Sequence, residues 1–455
     1  MNGLARLILV VAGFAATGEL VLRRPSRSIA ALNEAFWVGA GCFTALLVAG
    51  SAAASNVLSI LFGALPLAVL AALWRRRTRA NPAPHELSAR SSRSLAGSAA
   101  FGIAAIATVV FAALNARTGY VTDGFDIWAS KARVLSVEGR LERSDREPER
   151  LGRVASYPPL VPLVEAFTAR RAGGFDFRAA KLAFPVFFVS LLAGTWGIAR
   201  RFLGRGPAGA AVAVVAFLPA VSADWNAGGF ADLALAAAAA AAAAAWLGRF
   251  TDSPAAAPAD GWLAGAVLLS KPEGAVLVAC GALVAAMPRR AARPAGSRRA
   301  LLPLAGFAGI TVFWRMRFGA PEGVYGPFDA AHLSVAAHRL GPVVRACIAQ
   351  ALSLRSWGLL WAAAAPAVAI LAIRGRGAAR RLAQATGLAA SAYGAIFLFS
   401  NWGFPGPPRY GSEPLETHIA LAFPRLLEQI AAPAAVVLLA AYDSLGRRAP
   451  AGSSP

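Results

Sequence analysis

Long apolar runs constrain this 455-residue chain more than any other feature of its sequence. A helix needs about 20 apolar residues to cross about 30 Å of hydrocarbon. In lipid, only helices and closed barrels satisfy all backbone hydrogen-bonding groups. Barrel strands alternate apolar and polar residues, whereas these runs are continuously apolar, so they indicate helices. The sequence predicts an all-α protein, a polytopic transmembrane helical bundle of about 12–13 spans. The runs lie at 4–22, 28–50, 55–74, 95–115, 178–199, 206–222, 230–247, 260–287, 300–318, 356–373, 382–400 and 424–445.

Arginine supplies most of the formal charge of +22, and it clusters at the ends of the apolar runs. A nucleic-acid-binding protein carries its basic residues on one folded face, so we expect no nucleic-acid partner. Cytoplasmic loops are enriched in Lys and Arg, and the clusters therefore indicate orientation. They are Arg23/Arg24/Arg27, Arg75–Arg77 with Arg79, Arg200/Arg201/Arg205, Arg289/Arg290 with Arg298/Arg299, Arg374/Arg376 with Arg380/Arg381, and Arg447/Arg448.

This orientation predicts a multi-pass protein of the plasma (inner) membrane that is surrounded by membrane lipids. Three N-terminal spans occupy 1–74, and a basic cytoplasmic linker, 75–94, separates them from the rest. The main transmembrane module is 95–446, and 447–455 form a disordered tail. The larger non-cytoplasmic loops of the module are 115–177, 319–355 and 401–423.

The run 260–287 is interrupted by Ser270-Lys271-Pro272-Glu273-Gly274. Proline removes a helix hydrogen bond and pushes the preceding residue away from the α region, and charges at this depth usually face each other or a wet cavity. We therefore expect two short helices that meet at a polar turn. The alternative is one kinked helix with an internal Lys271–Glu273 pair, but a double crossing keeps the later arginine clusters on one side.

The first large outer loop carries two acids, Asp123 and Asp126, close to the end of an apolar run. Phe125, Trp128, Ala132 and Leu135 recur at helical spacing, which predicts an amphipathic helix at the membrane surface.

Two interpretations of these acids stay open at this point. In one, Asp123 caps a helix whose third residue is also acidic, as in a capping box. In the other, one acid is a general base, or a carboxylate that holds a metal, at a membrane-facing active site.

Other candidate site residues lie on the same predicted side of the membrane. Asp232 begins an alanine-rich run, where a carboxylate is costly unless it is wet or paired. Arg315 ends a span on the outer side, against the usual trend. Such a cation either holds an anionic group such as a lipid phosphate or anchors the helix at the membrane interface. The remaining candidates are Trp128, Lys131, Arg133, Tyr157, Lys271, Glu273 and Arg425.

Five segments, in this order along the chain, resemble the GT-C superfamily of integral-membrane glycosyltransferases. The resemblance is to the polyprenyl-phosphate sugar branch, which includes protein O-mannosyltransferases and lipid A aminoarabinose transferases. It covers roughly residues 95–445. The segments are Asp123-Gly-Phe-Asp-Ile-Trp-Ala-Ser-Lys-Ala-Arg133, Tyr157-Pro-Pro-Leu-Val-Pro162, Gly229-Phe-Ala-Asp232, Gly261-Trp-Leu-Ala-Gly265 leading to Lys271-Pro-Glu-Gly274, and Arg425-Leu-Leu.

The resemblance implies transfer of a sugar from a polyprenyl-phosphate donor to a lipid or cell-envelope glycan acceptor, with inversion at the anomeric carbon. It implies a catalytic base in the first outer loop, which falls on Asp123, with Asp126 as the second candidate. Cations on the outer side would stabilise the departing phosphate: Lys131, Arg133, Lys271, Arg315 and Arg425. A divalent cation, Mg²⁺ or Mn²⁺, bridging Asp and phosphate stays open as a cofactor.

Two other functions compete with this one. A membrane transporter or lipid flippase would account for the many spans and the broken helix, although it predicts inverted repeats, and the sequence shows none. A non-catalytic membrane subunit would use Asp123 only to cap a helix.

Overall fold

The computed structural model is a bundle of α-helices. It describes residues 2–51, 56–78, 95–141, 157–171, 174–222, 224–248, 259–287, 297–318, 330–400 and 414–446. Within these ranges the only strands are Arg170–Arg171 and Gly174–Phe175, which form one short antiparallel pair. The predicted all-α fold is therefore confirmed.

The helices are numbered here in chain order. The first half of the chain contains α1 (Gly3–Leu22), α2 (Ile29–Ser51), α3 (Val57–Thr78), α4 (Leu95–Arg117), a π-helix (Gly124–Ala129), α5 (Ser130–Glu138), α6 (Leu160–Ala169), α7 (Phe177–Lys181), α8 (Ala183–Ala199), α9 (Arg205–Ala216) and α10 (Asp224–Ala227). The second half contains α11 (Asp232–Leu247), α12 (Ala259–Ser270), α13 (Gly274–Ala286), α14 (Ser297–Phe318), α15 (Ala330–Ala351), α16 (Leu354–Trp357), α17 (Leu360–Arg374), α18 (Gly377–Ile396), α19 (Leu415–Glu428) and α20 (Ala431–Gly446).

Six helical segments of the described chain are long and apolar enough to cross a membrane, which supports a multi-pass membrane protein. A seventh is formed by Leu415–Glu428 with Ala431–Ser444 if this bent pair is one span. Shorter apolar helices of 10–17 residues surround them, so the count of about 12–13 spans stays a prediction. The six are Gly3–Leu22, Ile29–Ser51, Val57–Thr78, Ala99–Arg117, Phe177–Ala199 and Gly377–Phe399.

Small residues let the buried helices approach one another closely. A Cβ added to Gly194 of α8 would lie 2.7 Å from the Cβ of Ala240 in the alanine-rich α11. A Cβ added to Gly39 of α2 would lie 1.9 Å from the carbonyl oxygen of Phe14 in α1. Close packing of this kind is typical of membrane helices.

The three N-terminal helices pack directly on the main module. Asn33 Nδ2 donates to the carbonyl oxygen of Ser190 at 3.1 Å, and Trp37 Nε1 donates to the Ser190 hydroxyl at 2.6 Å. All three residues are buried, in α2 and α8. The N-terminal helices are thus part of the same hydrophobic core as α8.

The run 260–287 is interrupted as predicted. Helix α12 ends at Ser270 and α13 begins at Gly274. A Cβ on Gly274 would lie 2.2 Å from the carbonyl oxygen of Val267, so only glycine fits this turn. The Lys271–Glu273 ion pair, which was expected for a single kinked helix, is also present, with Lys271 Nζ 3.3 Å from Glu273 Oε1.

The structure differs from three sequence-based boundaries. The predicted span 424–445 is two helices bent by 63°, and the first of them begins at Leu415. The predicted outer loop 319–355 contains the 22-residue helix α15. The predicted linker begins inside α3, which continues to Thr78 because Arg and Thr tolerate a helical last turn. Residues 79–94, including Arg79, and the predicted tail 447–455 lie outside the described residues.

Candidate active site

Asp232, the first residue of α11, is the centre of a buried polar cluster. Its side chain is fully buried and accepts hydrogen bonds on both oxygens. Lys271 Nζ donates at 2.6 Å and Gln429 Nε2 at 3.0 Å to Oδ1. Arg425 donates to Oδ2 from Nε at 3.0 Å and from Nη2 at 2.9 Å. A buried carboxylate needs such partners, since an unpaired charge in a low-dielectric interior is very costly.

Arg425 connects this buried carboxylate to the surface. Its remaining terminal nitrogen, Nη1, donates to Asp123 Oδ2 at 3.1 Å. The guanidinium carbon lies 4.2 Å from the ring centroid of Phe230, a cation–π contact. Exposure of the side chains rises outward, from 0% for Asp232 to 20% for Arg425 and 42% for Asp123. Asp123 is therefore the exposed end of the cluster.

Glycines allow the Asp123 loop to reach the start of α11. The Val121 N–H donates to the carbonyl oxygen of Gly228 at 3.1 Å. A Cβ on Gly124 would lie 2.2 Å from that same oxygen, and Gly229 has a φ of +96°, which favours glycine. The two backbone segments touch at a distance that no larger residue permits, and this contact brings Asp123 near Asp232.

The capping interpretation of Asp123 is wrong. Asp123 precedes a π-helix, Gly124–Ala129, and its side chain makes no capping hydrogen bond. The carboxylate is paired with Arg425 instead. π-Helical turns are rare and are found mostly at functional sites.

The π-helix also changes which residues of the loop are buried. Trp128, Ala132 and Leu135 are buried as their spacing predicts, but Phe125 is 44% exposed. The wider i→i+5 turn moves Phe125 off the predicted face, where its ring stacks on Phe177 at 5.5 Å.

Three of the predicted site residues lie apart from the cluster. Asp126 is exposed one turn beyond Asp123, and Arg133 is exposed on α5. Arg315 is exposed near the end of α14. The side chains that the fold does bring together are Asp123, Asp232, Lys271, Glu273 and Arg425.

Trp128, Lys131 and Tyr157 form a layer beside the cluster. The rings of Trp128 and Tyr157 meet edge to face, with centroids 5.4 Å apart. Lys131 Nζ donates to the carbonyl oxygen of Tyr157 and lies 4.9 Å from the Trp314 ring centroid. Burial, together with the negative charge of Glu273, raises the pKa of Tyr157 to about 12. Tyr157 therefore belongs to the electrostatic surroundings of the cluster.

Lys131 is buried almost completely, with 2% of the residue exposed. Burial lowers the pKa of its ammonium well below the ordinary value for lysine. Its contacts with Tyr157 and Trp314 tie α5 to the segment before α6 and to α14.

Several buried polar residues of the cluster were not among the sequence candidates. Tyr393 donates its hydroxyl to Gln429 Oε1 at 2.5 Å, which orients the amide toward Asp232. Asn226 Nδ2 donates to Glu428 Oε1 at 2.7 Å, and Trp225 Nε1 donates to Glu428 Oε2 at 3.3 Å. A usable sequence signal was the spacing of Glu428 and Gln429, three and four residues after Arg425, because such residues share one helix face.

The described residues contain no group of three or more His, Cys, Asp or Glu side chains that could hold a metal ion. Asp123 and Asp232 both pair with Arg425, and Asp232 also pairs with Lys271. The divalent cation stays a prediction for which these side chains supply no ready set of ligands.

No protein-family model, curated protein or solved structure matches the chain. A half-exposed carboxylate beside a guanidinium group, with a buried ammonium behind it, can accept a proton at the surface. The same arrangement can also hold an anionic group near the cations.

Proposed function

We propose that the protein is a membrane glycosyltransferase of the GT-C type. It would transfer a sugar from a polyprenyl-phosphate donor to a hydroxyl of a lipid or cell-envelope glycan acceptor. The active site would lie on the non-cytoplasmic side of the plasma (inner) membrane. The observation that supports this proposal best is the position of Asp123, a half-exposed carboxylate at the outer end of the Arg425–Asp232–Lys271 cluster.

In the proposed reaction, the Asp123 carboxylate takes the proton of the acceptor hydroxyl. The acceptor oxygen then forms a bond to the anomeric carbon of the sugar. The bond between that carbon and the phosphate oxygen breaks, and its electron pair leaves with the polyprenyl phosphate. Attack on the face opposite the phosphate inverts the anomeric configuration. General-base catalysis of this kind contributes typically 10²–10⁴-fold in rate.

Arg425 and Lys271 are the cations closest to this carboxylate in the cluster. Arg425 is fixed by two hydrogen bonds to Asp232, so its guanidinium group is oriented before any ligand arrives. Preorganised cations stabilise negative charge that develops on a leaving group without further reorganisation. Arg425 would act on the phosphate directly, whereas the more buried Lys271 would act mainly through Asp232.

The two acids of the loop provide a matched pair for the test. Asp123→Asn removes a carboxylate that contacts Arg425, and Asp126→Asn removes an exposed one three residues away. With a polyprenyl-phosphate sugar and purified enzyme, we expect Asp123→Asn to lower transfer at least 100-fold, in line with the loss of a general base. Asp126→Asn should retain activity. Full transfer by Asp123→Asn, and by the double variant, would contradict the proposed role.

The substrate can be sought in cells that lack the gene. Loss of the enzyme should leave its lipid-linked donor unused, and mass spectrometry of lipid-linked sugars would show that donor accumulating. Complementation with the wild type should restore the normal level, and complementation with Asp123→Asn should not. Unchanged lipid-linked sugars in the deletion strain would argue against the proposal.

A transporter or lipid flippase is the second candidate, and two helix interruptions favour it. The break at Lys271 and the 63° bend after Glu428 both occur beside Asp232, and transporters build midplane binding sites from such discontinuous helices. Reconstitution in liposomes separates the two functions. Translocation of a lipid-linked sugar without transfer to an acceptor would favour the transporter.

A further inference from the structure

A second charged cluster lies at the other end of the bundle, and the proposed reaction does not use it. Glu19 of α1 and Glu34 of α2 are both buried, with side chains 5% exposed. Arg76 of α3 pairs with Glu19 through two nitrogens. Arg24 pairs with Glu34, and Arg201 Nη2 lies 3.7 Å from the same carboxylate.

The distance between the two clusters follows from one helical segment. The ring of Phe177, at the start of α7, stacks on Phe125 beside Asp123. Arg201 follows the end of α8 and reaches Glu34. The 23-residue segment Phe177–Ala199 lies between them, which corresponds to about 34 Å of helix at 1.5 Å per residue. The Glu19/Glu34 cluster and Asp123 therefore lie near opposite ends of a segment long enough to cross a membrane.

Arginines from four helix ends converge at this cluster. They come from the end of α1, the start of α2, the end of α3 and the end of α8. Arg75 also donates Nη1 to the carbonyl oxygen of Leu20 at 3.3 Å, which joins the ends of α1 and α3. Three of these arginines pair with the two glutamates, and five more lie at the same helix ends, so positive charge is in excess here. The eight are Arg23, Arg24, Arg27, Arg75, Arg76, Arg77, Arg200 and Arg201. These eight residues are called the arginine patch below.

An orientation signal alone does not require this arrangement. The positive-inside rule places Lys and Arg in loops, but it does not draw them together. In this protein, two buried carboxylates gather guanidinium groups from separate helices into one place, and part of each group stays accessible: 48% of Arg76, 34% of Arg24 and 27% of Arg201. Accessible, oriented guanidinium groups are suited to bidentate contacts with a phosphate.

Apolar side chains beside the arginine patch are exposed. Trp74 is 71% exposed and Leu73 is 49% exposed, next to Arg75 on α3. On α8, the Arg200 guanidinium carbon lies 5.8 Å from the ring centroid of Trp196, which in turn contacts the exposed Phe101 of α4. Tryptophan is enriched at the level of the lipid headgroups. The patch therefore lies where the phosphates of the bilayer lie.

We propose that the arginine patch is a binding site for the headgroup of an anionic phospholipid, at the membrane face opposite Asp123. The phosphate would be held by the accessible guanidinium groups of the patch, and the acyl chains would lie along the exposed apolar face of α3. Basic pockets between transmembrane helices bind acidic lipid headgroups in this way. The site does not depend on the glycosyltransferase proposal, and either one can fail alone.

Arg27 and Arg77 are the residues to change, because both are exposed and neither pairs with Glu19 or Glu34. The double variant R27Q/R77Q removes two charges from the patch and leaves its buried pairs intact. Each basic residue near an anionic bilayer surface strengthens binding about fivefold, so the double variant should weaken binding by about 30-fold. R27K/R77K keeps both charges and should bind nearly as well as the wild type.

The probe is phosphatidylglycerol, titrated into the full-length protein in detergent, with bound lipid counted by native mass spectrometry. Phosphatidylcholine is the neutral lipid control, and glycerol phosphate tests for binding of a free phosphate. R133Q/R345Q is the protein control, since it removes two exposed arginines that lie outside the patch. The proposal is supported if R27Q/R77Q binds less phosphatidylglycerol than the wild type does, while R133Q/R345Q binds as much. Equal binding by R27Q/R77Q and the wild type, equal loss by R133Q/R345Q, or tight binding of glycerol phosphate alone would overturn it.

Discussion

Asp123 and Asp232 are held by the same guanidinium group, although 109 positions separate them in the sequence. Arg425 donates Nη1 to Asp123 at 3.1 Å, and Nη2 and Nε to Asp232 at 2.9 and 3.0 Å. One carboxylate is half-exposed and the other is fully buried. The two acids therefore differ in their structural roles. Asp232 holds the Arg425 guanidinium group in place, and Asp123 presents a carboxylate at the surface.

Asp232→Ala should destabilise the protein far more than Asp123→Ala. Removing Asp232 leaves the buried Lys271 without its closest partner and Arg425 without two of its three acceptor contacts. Removing one partner of a buried ion pair costs about 3–5 kcal/mol, whereas Asp123 is half-exposed and solvent can replace it. Thermal unfolding in detergent, followed by the loss of monomer on size exclusion, would measure the difference. Equal midpoints for the two variants would contradict the assigned roles.

Gly124→Ala should disturb the contact that brings Asp123 to the cluster. The added methyl group would lie 2.2 Å from the carbonyl oxygen of Gly228, which is backbone and cannot rotate away. Overpacking of this kind costs about 1–3 kcal/mol. The matched control is Gly119→Ala in the same loop, where a Cβ would meet nothing within 4 Å. Thermal unfolding midpoints and transfer assays should both separate the variants. An unchanged Gly124→Ala would show that the loop tolerates a shift.

Much of the fold could be predicted from the sequence, because membrane helices leave strong local signals. The apolar runs predicted the all-α bundle, and Lys271-Pro272-Glu273-Gly274 predicted the break between α12 and α13 correctly. The bend after Glu428 was missed although Pro433 indicates it, because proline lacks the N–H that would bond the carbonyl oxygen of Gln429 four residues earlier. Sharp helix bends usually have a local cause of this kind.

The candidate site was only partly predictable. Asp123, Asp232, Lys271 and Arg425 were each singled out, but their mutual pairing depends on contacts between residues up to 302 positions apart. The sequence ranked Asp123 ahead of Asp126, and in the structure Asp123, which precedes the π-helix, pairs with Arg425 while Asp126 is exposed. The apolar spacing of this loop indicates a helix but does not distinguish a π-helix from an α-helix.

Arg425→Lys should lose transfer activity although it keeps the positive charge. An ammonium group is compact and cannot reproduce the planar fork of a guanidinium group, so it cannot contact both Asp123 and Asp232 in the same geometry. We expect the rate of transfer to fall by about 10²-fold, in the range seen when a preorganised donor is removed. The exposed Arg133→Lys is the control and should retain activity. Steady-state kinetics with a polyprenyl-phosphate sugar would check the result, and wild-type activity in Arg425→Lys would refute it.

Lys131→Met should change how stability depends on pH. Burial lowers the pKa of Lys131 in the folded protein well below its ordinary value, whereas the pKa of this lysine in the unfolded chain is about 10.4. Between these two values the unfolded state binds the proton and the native state does not, so the free energy of unfolding of the wild type rises with pH through this window. Methionine does not titrate, and the variant should lack this rise.

The measurement is the difference in unfolding midpoint between wild type and variant from pH 7 to pH 10. The gap should move in favour of the wild type as pH increases, and Arg133→Met, at an exposed position of the same helix, should show no such trend. A difference that stays constant across the range would mean that the contacts with Tyr157 and Trp314 keep Lys131 charged in the folded protein.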